Sequence, residues 1–361
     1  MQKKIRLGVL FGGQSAEHEV SIRSAKSVIE HLDQNKYDVF PIGIDKKGSW
    51  HFLKAEPFLI ALKNNFLPTF KKNDPYFPPL LQKVSAKETF FSPCTLKRSL
   101  DVIFPVLHGP FGEDGTVQGL VELANLPYIG PDHLSSAICM DKGIMKEILK
   151  SSSLPAPAYK ILHYNDPVDE QAIIQALNHP LFVKPSQMGS SVGISKVHTP
   201  GELLPAIKEA FKYDERILVE EFIDGREIAC SVLGNETPEA SLPGEIIPTH
   251  EFYSYEAKYL DENGAQFVIP ANLDAQKVKE VKGLAIRAFN ALRCEGMARV
   301  DFFLKKDGTL LINELNTIPG FTSISLYPKL WETNGIPYSQ LMDRLIELSI
   351  ERHKRKKSFR K

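Results

Sequence analysis

The chain has 361 residues, 43% hydrophobic and 24% charged, with 44 Lys+Arg balanced by 44 Asp+Glu. That length can bury the cores of two or three domains, and the even balance supplies no field that would recruit nucleic acid or an acidic membrane. The four cysteines (Cys94, Cys139, Cys230, Cys294) stand far apart without a CxxC pair, so they read as reduced cytosolic thiols rather than a disulfide or zinc framework.

Residues 5–11 form an apolar run broken at once by Gly12-Gly13, which reads as a first strand and turn and not as a secretion signal. No segment approaches the length of a membrane span. Residues 16–32 continue with helical spacing and 37–44 as the next strand, the opening of a doubly wound α/β unit. The glycine turn favours an anionic group such as a carboxylate. Glu17, in the first helical turn, can complement the helix dipole or bind a ligand. Residues 53–98, interrupted by Pro57, Pro68, Pro75, Pro78 and Pro79, are expected to make a surface excursion that returns to the sheet. Residues 101–107 read as a buried strand ending in a glycine-rich loop from His108 to Gly115. Open α/β sheets bind ligands at such carboxyl ends, which makes His108 a candidate. Residues 116–124 resume a helix, and 127–131 close the first domain.

A helix carrying Lys142 is expected over 132–150. Residues 181–185 read as a strand with Lys184 inside its apolar run. A buried lysine without a partner is costly, so Lys184 should meet an anion. The small-residue loop 186–193 and a returning strand at 194–197 make a flap whose N–H groups can wrap phosphates. It is not a Walker A loop, because the lysine precedes the glycines and no helix follows. Residues 217–223 are the next strand. Its Glu220-Glu221, with Glu227 beyond, resembles a hinge that could accept from adenine N6 and ribose hydroxyls. Residues 228–233 enter a third domain, 252–259 form an aromatic loop around Lys258, and 275–293 form a long amphipathic helix. The basic run 353–361 reads as a solvated, frayed end rather than a nucleic-acid site.

Residues 299–316 read as two strands joined through Lys305-Lys306-Asp307-Gly308, a tight-turn signal. Alternation places Arg299, Asp301 and Phe303 on one side, and Leu310, Ile312, Glu314 and Asn316 on one side of the partner strand. With a loop of two or four residues, Asp301 and Glu314 share a face, either directly opposite or diagonal at roughly 7–8 Å. Carboxylates that close repel unless a cation lies between them. The Asn316 carbonyl would complete an all-oxygen cluster, which suits Mg²⁺ better than zinc and leaves room for substrate phosphates.

The segments GGQSAEHEVS (12–21), HGPFGEDGTVQG (108–119), MDK (140–142), VKPSQMGSSVG (183–193), EEFIDGREI (220–228), YEAKY (255–259), GMARVDFF (296–303) and NELNTIPGFTSIS (313–325) occur in the order seen in ATP-grasp enzymes. Within that superfamily the chain resembles the D-alanine–D-alanine ligases over nearly its whole length. The implied fold is α/β, with α+β character in the ATP-binding part, as an ATP-grasp of three domains. These are an N-terminal doubly wound parallel sheet with the first substrate subsite (1–137), a central ATP-grasp domain with the phosphate flap (138–229), and a C-terminal domain with the metal site and lid loop (230–361). The implied activity is ATP-dependent joining of two D-alanines through an acyl phosphate, for peptidoglycan precursors in the cytoplasm.

The resemblance also implies ATP and two Mg²⁺ ions, with Mn²⁺ as a substitute, held by Asp301, Glu314 and Asn316. Lys142 and Lys184 would hold the α/β-phosphates and Lys258 the γ-phosphate. Glu220, Phe222, Ile223 and Glu227 would line the adenosine slot. Glu17 would hold the first D-alanine's ammonium beside His108, and Ser325, Leu326 and Lys258 would meet the second D-alanine's carboxylate. Arg299 and the Gly320 N–H would stabilise the oxyanion, while Glu17, Ser190 and Tyr259 would form a hydrogen-bonded set. Tyr259 marks dipeptide rather than depsipeptide formation. A homodimer is expected, with D-alanine and ATP as small-molecule partners and neither nucleic acid nor membrane. Rival readings are an ATP-grasp ligase for another amino-acid pair, and a nucleotide-binding module without catalysis, against which Glu17 and His108 stand. A dinucleotide dehydrogenase is the weakest rival, since Gly12-Gly13 lacks that fingerprint's spacing.

Overall fold

The computed structural model describes residues 3–64, 93–248 and 265–359. The expected lid residues Lys258 and Tyr259 lie outside these ranges. The first part contains β1 (Ile5–Gly12), α1 (His18–His31), β2 (Tyr37–Ile44), β3 (Trp50–Phe52), α2 (Ala55–Lys63), α3 (Pro93–Ser99), β4 (Val102–Pro105) and α4 (Thr116–Leu123). β1 lies between β2 and β4, parallel to both, and β3 adds an antiparallel edge to β2 that the expected all-parallel sheet lacked. Strands covered on both faces are apolar throughout, and Leu7, Val9, Leu10 and Phe11 are fully buried. α2 corrects the expected surface excursion. Phe58, Ala61 and Leu62 form one apolar stripe that enters the core, with the Phe58 ring 4.7 Å from that of Phe11.

The second part contains α5 (His133–Met140), α6 (Lys142–Ser151), β5 (Tyr159–His163), α7 (Glu170–Leu177), β6 (Leu181–Pro185), β7 (Ser195–Val197), α8 (Pro200–Ala210) and β8 (Arg216–Glu221). The strands form an antiparallel sheet in the order β5-β8-β6-β7. The single helix expected over 132–150 is two helices, broken at Asp141. That carboxylate caps α6 by accepting from the Ile144 N–H at 3.0 Å. It also accepts from Ser186 Oγ at 2.6 Å, Gln187 Nε2 at 3.1 Å and Arg216 Nη1 at 3.2 Å. The break therefore ties the base of the flap to the start of α6, where Lys142 stands.

The third part contains β9 (Gly225–Gly234), β10 (Glu239–Ala240), β11 (Gly244–Pro248), β12 (Ala265–Val268), α9 (Ala275–Ala291), β13 (Gly296–Lys305), β14 (Leu310–Asn316), α10 (Leu326–Thr333) and α11 (Tyr338–Phe359). Its sheet is antiparallel, β12-β11-β9-β13-β14, with β10 also on β9. α9 buries Val281, Ala285 and Phe289 against Ile228, Val300 and Ile312. α11 reaches back to the first sheet, where Leu341, Leu345 and Ile346 share a core with Val102, Phe104 and Val106. Its last turns correct the expected frayed tail: the helix continues to Phe359, and Lys356 Nζ lies 2.6 Å from Asp132 Oδ2. Among the described residues no helix is long and apolar enough to cross a membrane.

Candidate active site

β13 and β14 set Asp301 directly opposite Glu314 and Arg299 opposite Asn316. The route to that pairing differs from the expected loop of two or four residues. Lys305 pairs with Thr309 around a three-residue loop, with Gly308 in the left-handed region at φ +85°. This pairs Leu304 with Leu310 and Phe302 with Ile312, a register that by itself would turn Glu314 to the core face. A bulge between Asp301 and Phe302, with Asn313 as the extra residue opposite, reverses the remaining strand. Leu310 and Ile312 are therefore buried in the core, whereas Glu314 and Asn316 face the cavity. The four residues do not share one side as alternation alone predicted.

Arg299 grips Asp301 with a fork, Nε to Oδ1 and Nη2 to Oδ2, each at 2.7 Å. Asn316 Nδ2 donates to Asp301 Oδ2 at 2.9 Å, which leaves its Oδ1 as the remaining acceptor. Among the described residues no group of three His, Cys, Asp or Glu side chains is placed to hold a metal. Two facing carboxylates and an amide oxygen still fit a hard divalent ion that draws its other ligands from phosphates.

On the nucleotide side, Lys142 Nζ donates to the Met188 carbonyl of the flap at 2.6 Å. Lys184 meets an anion, as expected, but the anion is Glu220. One Glu220 oxygen contacts Lys184 and the other contacts Lys146. The free carboxylate expected for adenine is thus paired, because a side chain only 2% exposed needs counter-charge. Burial pushes the Glu220 carboxyl upward, but the two ammonium groups outweigh it and hold the carboxyl below its ordinary range. Sequence reasoning missed Lys146. The available signal was its place on the buried stripe of α6 with Lys142, Met145 and Leu149. The Phe222 ring lies 6.0 Å from Phe182 and 4.4 Å from Lys196 Nζ.

On the substrate side, Glu17 is the N-cap of α1 rather than part of its first turn, and it is 6% exposed. A Cβ on Gly109 would lie 2.7 Å from Glu17 Oε2, and one on Gly189 would lie 3.1 Å from it. Glycines at these two positions let the His108–Gly115 loop and the flap come close to that carboxylate. Ser190 has φ +50°, and its buried hydroxyl meets no hydrogen-bond partner among the described residues. His108 Nδ1 donates to the Ile318 carbonyl at 2.9 Å, so its Nε2 accepts from Ser24 Oγ at 3.3 Å. Burial pushes the His108 pKa down and keeps the ring neutral.

Glu113 was also missed, hidden among the glycines of its loop. Its carboxyl is close enough to Glu17 to feel that charge, and His108 at the start of the same loop holds the Ile318 carbonyl. Burial and then the charge of Glu17 push the Glu113 pKa from 4.5 up to about 8. Between those values the folded state holds a proton that the unfolded state has lost, so this group's contribution to stability falls as pH rises. Glu113→Gln should therefore melt above wild type, least near pH 5 and most near pH 9, by on the order of 2–4 kcal/mol at the alkaline end. Melting curves across that range check it, and a pH-independent difference would contradict the shift.

A Cβ on Gly320 would lie 2.8 Å from Ser325 Oγ, which accepts from the Thr322 N–H at 2.9 Å. Leu326, expected to meet the second substrate's carboxylate, stands at the start of α10. It is 4% exposed and packed with Leu330, Ala229 and Ile246, so only its backbone N–H at the start of α10 can meet a carboxylate. Every predicted site residue within the described ranges lines a single cavity of about 1000 Å³, and Glu113 joins them.

Family models described as D-ala D-ala ligase N-terminus and D-ala D-ala ligase C-terminus match residues 6–131 and 148–347. The chain belongs to the D-alanine–D-alanine ligase family. The D-alanine–D-alanine ligase of Thermoanaerobacter sp. (strain X514) is 49% identical over 363 residues, covering 99% of each chain. D-alanine–D-alanine ligase A of Salmonella typhimurium is 44% identical, covering 97% of each chain. The solved D-alanine–D-alanine ligase of Coxiella burnetii superposes with a TM-score of 0.82 at 40% identity, over 99% of this chain and 97% of that one. The VanG D-Ala:D-Ser ligase of Enterococcus faecalis gives 0.83 at 36% identity, over 96% of this chain and 100% of that one. These D-alanine–D-alanine ligase relatives are matched along almost their entire length.

Proposed function

We propose that this ligase joins two D-alanines to D-alanyl-D-alanine through an acyl phosphate, with ATP converted to ADP. The observation that carries the reading is the Asp301–Glu314 pair facing the same cavity as Glu17. A nucleotide sensor would not need that substrate-side carboxylate. Phosphoryl transfer is largely positioning and charge neutralisation. Glu17 holds the first D-alanine's ammonium beside His108, and its carboxylate takes the γ-phosphoryl group. Lys142 and Lys184 exchange their present partners, the Met188 carbonyl and Glu220, for the α/β-phosphates, and Lys258 meets the γ-phosphate. Glu220, Phe222, Ile223 and Glu227 border the adenosine. Mg²⁺, or Mn²⁺ in its place, fits Asp301, Glu314 and Asn316 and supplies neutralisation of the phosphate charge.

The second D-alanine sits with its carboxylate at Ser325 and the Leu326 N–H, and its amine attacks the acyl phosphate. Arg299 and the Gly320 N–H stabilise the oxyanion as phosphate leaves. The set of Glu17, Ser190 and Tyr259 closes the lid and keeps water from the acyl phosphate. The three domains take residues 1–137, 138–229 and 230–361, and the enzyme works as a cytoplasmic homodimer.

Coupled ADP release with single amino acids tests the function. Release should depend on D-alanine and on no L-amino acid, and dependence on an L-amino acid would move the reading to another ligase. With D-alanine and D-lactate together at neutral pH, the dipeptide should predominate. Predominant ester would overturn the dipeptide assignment.

A further inference from the structure

Lys146 has no part in the reaction described above, yet its burial demands one. Its side chain is 0% exposed in the middle of α6, and it does not line the cavity. An unpaired ammonium there would be prohibitively costly. It contacts Glu220 Oε1, and at 3.4 Å it meets the carbonyl of Asn313, the bulged residue beside Glu314. Glu220 Oε2 contacts Lys184, which does line the cavity. We propose that Lys146 is the fixed counter-ion of Glu220, a positioning residue that frees Lys184 to move from that carboxylate to a nucleotide phosphate. The proposal rests on the nucleotide reading above.

The charges explain the arrangement. Two ammonium groups share one carboxylate, so Glu220 stays neutralised after Lys184 turns toward the cavity. Without Lys146, Lys184 and Glu220 would form a closed one-to-one pair. Drawing Lys184 away would then strand a carboxylate that is 2% exposed, and that penalty would be subtracted from nucleotide affinity. Lys146 cannot take the phosphate itself, because it is walled off from the cavity. Its contact with Asn313 also braces the bulge that aims Glu314, so one buried cation supports both the nucleotide and the metal ends of the site.

Calorimetric titration of the full-length protein with ADP and Mg²⁺ tests this. Lys146→Met should weaken ADP binding about tenfold or more, and Lys146→Arg should retain most of the affinity. Glu220→Gln removes the carboxylate that needs neutralising. Adding Lys146→Met to that background should change ADP affinity by less than about threefold. This second comparison contains no stranded buried carboxylate, so it decides the question even if Lys146→Met alone does not fold. The KM for D-alanine should move far less than the ADP affinity. Equal losses in the two backgrounds, or unchanged ADP affinity in Lys146→Met, would overturn the proposal. Wild-type protein that fails to bind ADP would instead sink the nucleotide reading itself, so the two failures are distinguishable.

Discussion

Glu314→Gln is expected to lower D-alanine-dependent ADP release by on the order of 10²–10³-fold or more, with the protein still folded. The amide keeps the shape of the side chain and removes the charge that a divalent ion would need. Stability should move the other way. Glu314 directly opposes Asp301, and like charges facing across a strand pair are destabilising. The metal-free variant should therefore be as stable as wild type or more stable by about 0.2–1 kcal/mol in urea melts. A loss of rate together with a gain of stability marks a residue kept for chemistry rather than for the fold. A rate within about threefold of wild type would remove the metal role from Glu314.

Arg299→Ala should reduce kcat by about 10²–10³-fold, the usual cost of deleting an oxyanion donor. Here the same guanidinium also neutralises Asp301 through two 2.7 Å hydrogen bonds, with the side chains 20% and 14% exposed. Removing it leaves Asp301 facing Glu314 without that fork, so stability should fall as well, by about 1–3 kcal/mol after allowing for partial solvent screening. Added Mg²⁺ should recover part of the stability and none of the turnover. Arg299→Lys restores a charge but not the planar fork, and should rescue only a fraction of the rate. Steady-state kinetics with D-alanine, paired with melts with and without Mg²⁺, separate the two roles. Full turnover in Arg299→Ala would exclude the oxyanion assignment.

Much of the molecule was legible where short-range periodicity and burial agree. β2 and β6 fall on the expected boundaries because short runs rich in apolar and β-branched residues there are bounded by turn signals. The hairpin of Asp301 and Glu314 and the loop after Lys184 were legible from the Asp307-Gly308 turn signal and from a run of small residues between two strands. The misses have identifiable causes. Asp141 looks like one polar residue within a helical stretch until Ser186, Gln187 and Arg216 converge on it. The apolar stripe of α2 was obscured by prolines, although Pro57 sits in the helix's first turn, where it is tolerated.

The sequence by itself determined the chemistry available: two carboxylates and an asparagine on paired strands, lysines around a glycine flap, and acidic and histidine groups on the first-domain loops. Residue types and spacings of two to four along the chain suffice for that. Only the tertiary structure decided which of those groups are paired, and with what. The bulge at Asn313 that aims Glu314, the sharing of Glu220 by Lys146 and Lys184, and the hold of His108 on Ile318 join distant parts of the chain. Local periodicity carries no information about such contacts, because a buried charge takes its partner from whatever the fold brings within reach.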